Sequence, residues 1–485
     1  MLLLEAALAA PRPPCGSPHT LPLLPRRAAH ERPPPSPGVK LTHDTASQEY
    51  PNELIGTNFH VKWGNSGGVS QSDAEDVLAW FEYAWEAEVV GLDMEVPIQA
   101  DQYLFNVYIG DTGGGTPSAG GNSGYYYRDD DGFPYIVIGA DILGDSSWAS
   151  GTAAHEFFHS LQDATGSYGY AGDSAWFWEA TATWVEGEVL EDNLDYATFL
   201  YGFALLPELP VYFFDYFDTG ALEEYHEYGA MIFPRYLSEI LDAPEIVIDA
   251  WERPGRAETP QEAIAADLAD RGLSMADVYG DFAARNAVWD YADGETYEKW
   301  IDWYAGYYRS DDHRTVETVD AEGTDGLVEA PEDTLPEHLG YNIVTLSHPD
   351  DERDYVVAVE GAPTGSRDST AEWRFTVVAE TYPLTYLPIT LTDGAGEVTV
   401  PATGNAIHVV AAAVGDETDE GETYAWSYSF TPVDPPPEAE DTGDDLPAER
   451  PDEDDEARAC GCSGGGSVDG VAAALALIAL GRRRR

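Results

Sequence analysis

His155 and His159 stand four residues apart in the stretch HEFFH, with Glu156 directly after the first histidine. On an α-helix, residues four apart share a face, so the two imidazoles can be offered to one metal ion. Zinc in a hydrolytic site takes three protein ligands and leaves a fourth position to water, whose pKa it lowers. Glu156 is placed to accept that water's proton and pass it to a leaving amine. The bland alternative is a chance match on a solvated helix. Against it, the motif follows a β-rich run, lies in a stretch without Gly or Pro over 152–163, and precedes a second helix bearing carboxylates.

The third ligand is expected to be Glu179, twenty residues after His159 in AWFWEATATW. Thr183 and Glu186 share its helix face, and Glu186 remains the rival: a ligand, an outer carboxylate or simply a solvated one. Trp176, Trp178 and Trp184 read as core packing rather than substrate stacking. Attack of water on a peptide carbonyl creates an oxyanion, which a donor besides the metal helps to stabilise. His226 and Tyr228, in YHEYGAMIFPRYL, are the candidates, with Tyr225 a weaker third; each could equally be a structural group. Asp129, Asp130 and Asp131 could bind Ca2+, although a charge run in a loop is ordinarily just solvated.

The elements that must position these residues can be read from periodicity. NFHVKW alternates like a strand from about residue 57. The stretch 70–92 has apolar residues at Val77, Leu78, Phe81, Ala84 and Trp85, the spacing of an amphipathic helix. Residues 103–110 and 135–143 read as strands, separated by a Gly-rich loop and a YYYRDDDG turn. An exposed edge on the 135–143 strand could pair with an extended peptide; a fully internal strand is as consistent with the sequence. The motif helix is expected over 152–163, with Gly166 to end it, and the next helix over 174–190. Further helices are predicted at 221–241, 260–270, 274–287 and 296–307. From residue 341 short alternating runs rich in β-branched and aromatic residues take over, as in a sandwich.

Of the 485 residues, 89 are acidic and 24 basic, a formal charge of -65. Such a charge repels phosphate backbones and excludes nucleic acid as a partner. It fits a secreted or surface protein kept soluble by its carboxylates. The three cysteines, Cys15, Cys460 and Cys462, leave the body of the chain without any disulfide. The opening MLLLEAALAAP has an apolar run interrupted by Glu5 and no basic flank, so it is a weak signal peptide. Residues 1–47 read as a largely disordered leader or propeptide, and the Pro- and acid-rich 434–459 as an extended stalk. The apolar run over 471–480 is too short for an ordinary spanning helix of about 20 residues. The four arginines that follow would orient it at an inner membrane. Nothing in the sequence bears on oligomeric state.

At HEFFH and WEATA the chain resembles the gluzincin metallopeptidases, in which HExxH is completed by a glutamate on the following helix. The spacing from His159 to Glu179 looks like that of the thermolysin group, and HEYGAMIFPRYL resembles their later helix. The resemblance implies a zincin-like fold, one catalytic Zn2+, the roles of His155, Glu156, His159 and Glu179 given above, and His226 as the oxyanion donor. Trp178 stands where an asparagine often precedes the third ligand, and Thr183 where an Asp would support a histidine, so that supporting shell is unassigned. The tail CGCSGGG, its short apolar segment and its arginines resemble the MYXO-CTERM sorting signals of myxobacterial surface proteins. That implies export, processing near Cys460 or Cys462, and retention at the cell surface or outer membrane.

The expected architecture is therefore α+β: a zincin-like metallopeptidase domain over 48–320, with a mixed sheet and active-site helices, then an all-β sandwich over 335–433, the stalk, and a sorting tail over 460–485. The expected function is extracellular or surface hydrolysis of a protein or peptide substrate, as an endopeptidase. The alternatives are a non-catalytic surface adhesin or scaffold whose metal site is structural or degenerate, and a metal hydrolase of non-peptide substrates.

Overall fold

A computed structural model describes residues 40–43, 50–113, 115–190, 193–215, 222–252, 258–308, 315–361, 371–415 and 421–433. The stalk and sorting tail, and nearly all of the leader, lie outside these residues. The first sheet contains β1 (Asn52–Ile55), β2 (Phe59–Trp63), β3 (Phe105–Gly110), β4 (Gly124–Arg128) and β5 (Pro134–Gly139), in the order β1-β2-β3-β5-β4. The three central strands are parallel, and β1 and β4 run antiparallel at the two edges.

One expectation is corrected here, since YYYR forms β4 rather than a turn, and one open alternative is decided: the strand at 135–143, β5, is internal, between β3 and β4. Three consecutive tyrosines conceal the alternation that a strand needs. Tyr126 is fully buried towards the helices, while Tyr125 and Tyr127 lie half-buried on the opposite face. The sheet is covered on both faces, which is why every residue of β2 is buried. On the face away from the helices, Asn106 Nδ2 donates to His43 O at 2.7 Å, and the Tyr50 and Tyr108 rings meet at 5.0 Å.

Helix α1 (Gln71–Ala84) crosses from β2 to β3, and a capping box between Ser70 and Asp73 starts it. Its buried stripe is Ala74, Val77, Phe81 and Ala84, after which the chain widens into a π-helical turn over Trp85–Gly91. Helix α2 (Ser146–Thr165) carries the HEFFH motif. It begins six residues before the predicted start, because the Asp145 carboxylate accepts from Ser147 N and Trp148 N. Gly166, at φ 60°, closes it as a left-handed cap. Helix α3 (Ala175–Val189) packs against α2, and α4 (Leu200–Ala204) follows.

The single helix predicted over 221–241 is divided into a 3-10 turn at Glu223–Tyr225, α5 (His226–Gly229) and α6 (Ile232–Glu239). Gly229 passes so close to α4 that a Cβ there would meet Phe203 N at 2.6 Å. Tertiary contact, not local propensity, sets that break. Helices α7 (Glu245–Glu252), α8 (Pro260–Asp270), α9 (Met275–Asn286) and α10 (Gly294–Tyr308) complete the helical half. No helix among the described residues is long and apolar enough to cross a membrane.

The β-rich half contains β6 (Glu317–Val319), β7 (Val328–Glu329), β8 (Gly340–Leu346), β9 (Asp354–Gly361), β10 (Glu372–Ala379), β11 (Thr385–Ile389), β12 (Ala395–Val400), β13 (Ile407–Val414) and β14 (Trp426–Val433). They form two sheets, β11-β10-β13-β8-β6 and β12-β9-β14-β7. Val357, Phe375, Val409, Trp426 and Phe430 are part of the core between them. The other face of the first sheet supplies Ile343, Val378, Val410 and Ala412 to the helical core, where the sheet meets α9. Strand β13 therefore faces apolar surroundings on both sides and, His408 apart, reads as an apolar run.

Candidate metal centre

Helices α2 and α3 place the predicted ligands together. His155 and His159, one turn apart on α2, both direct Nε2 at the same oxygen of Glu179, at 3.2 and 3.6 Å. Their donor atoms and the Glu179 carboxylate oxygen all lie within 4.8 Å of one another, and this is the one His/Cys/Asp/Glu grouping of metal-binding type among the described residues. The two rings are perpendicular, 4.8 Å apart. All three side chains are buried, as is Glu156.

The atoms not aimed at this point are held by neighbours. His155 Nδ1 meets Glu186 Oε1 at 3.0 Å, and His159 Nδ1 meets Gln162 Oε1 at 2.7 Å. Gln162 is itself oriented: its Nε2 donates to Trp178 O and Thr181 Oγ1, both at 2.9 Å, leaving Oε1 as the acceptor for the ring. Tyr170 donates to the other Glu179 oxygen at 2.5 Å. Both histidines thus carry their proton on Nδ1 and present a lone pair at Nε2.

With both rings neutral, two imidazole lone pairs and one carboxylate oxygen converge in a buried space, and a cation held at that point would satisfy all three. Burial would raise the Glu179 carboxyl, but in the absence of a metal, protonated His159 and His155 outweigh it and hold the group well below the usual carboxylate range. Two nitrogens and one oxygen, each backed by an outer group, fit the ligand set of a zinc site with an open position.

Glu186, the rival for third ligand, instead supports His155 through the ring nitrogen that faces away from the cluster. It reaches that position because residue 151 is glycine: a Cβ there would lie 2.8 Å from Glu186 Oε2. Gln162 and Tyr170 are additions that the sequence reading lacks. Gln162 lies three residues after His159, on the same helical face, which was a usable signal. Tyr170 has none, since only folding of the α2–α3 connection brings it to Glu179. Thr183 has a buried hydroxyl with no hydrogen-bond partner. Glu156 lies against the edge strand, its Cγ 3.1 Å from where a Cβ on Gly124 would be. Trp176, Trp178 and Trp184 are all core residues.

The two oxyanion candidates part company. The Tyr228 ring stacks on His155, with centroids 6.3 Å apart. His226, two residues earlier and so on the opposite side of the turn, lies among Phe203 and Phe213, at ring separations of 5.1 and 5.4 Å. Its ring nitrogens make no well-formed hydrogen bond, and burial pushes its pKa down to about 3 against a smaller opposing pull from the Phe213 backbone. Glu227 is also fully buried; burial first, and then Glu179, raise its carboxyl well above the usual range. Tyr225 packs on Phe199 and Tyr201. Asp129 uses its carboxylate within its own turn, accepting from Asp131 N at 3.0 Å and Phe133 N at 2.8 Å, and it pairs with His43 at 3.1 Å.

Residues 38–430 match a family of unknown function, DUF6055, and the chain belongs to that family. No curated protein matches it. Among solved structures, it is similar to a family GH115 4-O-methyl-α-glucuronidase with specificity for decorated arabinogalactans, at 9% identity. That likeness covers 61% of this chain and 39% of the glucuronidase, with a TM-score of 0.15, and carries no argument about fold or activity.

Proposed function

We propose that this DUF6055 protein is a zinc-dependent peptidase with a zincin-like catalytic domain. The observation that carries the reading is the convergence of His155, His159 and Glu179 on one point, with Glu156 on the same helix. A bound zinc ion would lower the pKa of water and polarise the scissile carbonyl. Glu156 takes the proton from the attacking water and returns it to the departing amine. Tyr228 donates a hydrogen bond to the developing oxyanion, a role for which its stacking on His155 favours it over His226. Glu186 and Gln162 hold the imidazoles in the tautomer that binds metal. Strand β4, at the edge of the sheet beside Glu156, would offer its main chain to an extended peptide, as expected of an endopeptidase. Export and surface retention follow from the likeness of the tail to sorting signals. Surface labelling of intact cells tests them, and a protein found only in the cytosol would reject them.

One observation favours a second reading. Glu156 and the three ligands are almost without solvent exposure, which suits a structural metal centre in a surface scaffold protein. A single experiment separates the two. The purified protein should hold about one zinc per chain, and Glu156→Gln should lower peptide cleavage by about 10²–10⁴-fold while leaving the metal bound. Zinc without cleavage would support the structural centre, and cleavage of small esters but no peptide would support a hydrolase of other substrates.

A further inference from the structure

Strand β4 alternates in its main chain and in its side chains. The bonds that bracket it, Gly139 N to Ser123 O at 2.8 Å and Asp129 N to Phe133 O at 2.9 Å, place its odd-numbered residues in hydrogen-bonded pairs with β5. Gly124 and Tyr126 therefore direct their main-chain groups to the side away from β5. Tyr126 points towards α2, where its hydroxyl donates to Asp163 at 2.6 Å. A Cβ on Gly124 would meet Thr152 Cγ2 at 3.0 Å and Glu156 Cγ at 3.1 Å, so the strand passes directly over the candidate base. Tyr125 and Tyr127 face the other way. With Tyr135 of β5 they line a cavity of about 350 Å³ that opens to solvent, and Ser118 and Asn122 add polar groups to it. The Tyr135 ring meets Tyr125 edge-on at 6.4 Å and Tyr127 at 6.0 Å. Among the described residues no charged side chain lines this cavity, on a chain with a formal charge of -65. Asp111, in the same loop as Ser118, is engaged elsewhere: its Oδ2 accepts from Ala119 N at 2.9 Å.

We infer that this tyrosine cavity is a subsite for one large uncharged side chain, aromatic or aliphatic, of the peptide that binds along β4. A peptide residue paired opposite Gly124 or Tyr126 turns its side chain to the face they share, towards α2. The residue between them turns its side chain to the tyrosines. A main chain held opposite Gly124 thus brings its carbonyl towards Glu156 while the neighbouring side chain enters the cavity, so recognition and cleavage fall on adjacent residues. The lining selects the class of side chain. Three rings offer edges and faces to another ring, and they cover an aliphatic chain as well. A carboxylate finds no cation in the lining, and an ammonium no carboxylate, to offset its loss of water. At about 350 Å³ the space lies near the floor of the range of about 300–1,000 Å³ for whole-ligand sites, and it suits one side chain better than a free cofactor. The inference rests on the peptidase reading of the same site and names what that site recognises.

The test uses the full chain carrying Glu156→Gln, with zinc present, so that peptides bind without being cut. Binding of a fluorescein-labelled alanine-based peptide is read by anisotropy, with Phe, Leu, Asp or Lys introduced at each position in turn. Phe and Leu should each tighten binding by at least about 10-fold at one position, and Asp and Lys should not. Tyr127→Ala, added to that chain, should remove the preference and leave the affinities for the alanine peptide and for zinc unchanged. Tyr127→Phe keeps the ring and should retain the preference. Ser118→Trp fills the cavity from an exposed position and should also remove it, which keeps the test decisive if Tyr127→Ala does not fold. Binding without such a preference, a preference for Asp or Lys, or a Phe preference that survives both Tyr127→Ala and Ser118→Trp would each overturn the subsite and leave the peptidase reading standing. If no peptide binds, the subsite also fails; absence of peptide cleavage by the natural chain would show that the peptidase reading has failed with it.

Discussion

HEFFH and HEYG each place a histidine beside a glutamate on a buried helix, yet the structure treats them oppositely. On α2, both histidines have a partner at each ring nitrogen, and their orientation is determined from outside by Glu186 and Gln162. On α5, His226 and Glu227 are equally buried, but the His226 nitrogens and Glu227 oxygens make no well-formed hydrogen bond and meet no other side chain's polar group. The difference shows that burial of polar residues does not make a site. What distinguishes the α2 pair is a second layer that fixes tautomer and direction, so that three acceptors point at one place. The α5 pair has aromatic neighbours instead, and its physics is that of desolvated, uncharged groups.

That contrast can be broken most forcefully at a ligand. His159→Ala should remove a direct donor and leave Glu179 facing one imidazole, so zinc should no longer copurify and chelator competition should show a loss of at least about 10³-fold. Retention of stoichiometric zinc would mean that the three groups do not form the centre. A smaller effect is expected one layer out. Glu186→Gln keeps the volume beside Gly151 but weakens the hold on His155 Nδ1, and zinc affinity should drop by about 10–100-fold, with the metal-free fold intact by circular dichroism.

The smallest effect belongs to α5, and it depends on pH. His226 titrates near 6.5 in an unfolded chain and near 3 in the fold, so between those values the unfolded state binds the extra proton. Its contribution to stability is intact above about pH 6.5 and is lost progressively as pH falls towards 3. At pH 5 that loss amounts to about 2 kcal/mol. His226→Phe should remove it: the variant should match or slightly exceed the natural chain in Tm at pH 7 and clearly exceed it at pH 5. Zinc affinity should stay unchanged, and a drop comparable to that of Glu186→Gln would place His226 in the centre after all.

Much of the centre was legible before any coordinates. Four-residue spacing puts His155 and His159 on one face by helix geometry alone, and Glu179 opens the next helix at a separation that a short connection can fold back. Glu186 was visible but ambiguous, because helix periodicity gives it the same face as Glu179 and cannot say which ring nitrogen it meets. Strand β4 was hidden, since YYYR shows no alternation of residue type, and the helix predicted over 221–241 was cut in two by a contact with α4 that no local signal records.

The amino-acid sequence by itself determined the motif helix, its glycine stop, the carboxylate-rich surface and the β-rich half, because each depends on short-range periodicity or on composition. Tertiary structure alone decided which nitrogen of each imidazole faces the ligand space, that Tyr228 and not His226 stacks on His155, and that Tyr170 reaches Glu179. Those choices turn on a few ångströms between elements distant in the chain, and such distances exist only after the helices have packed.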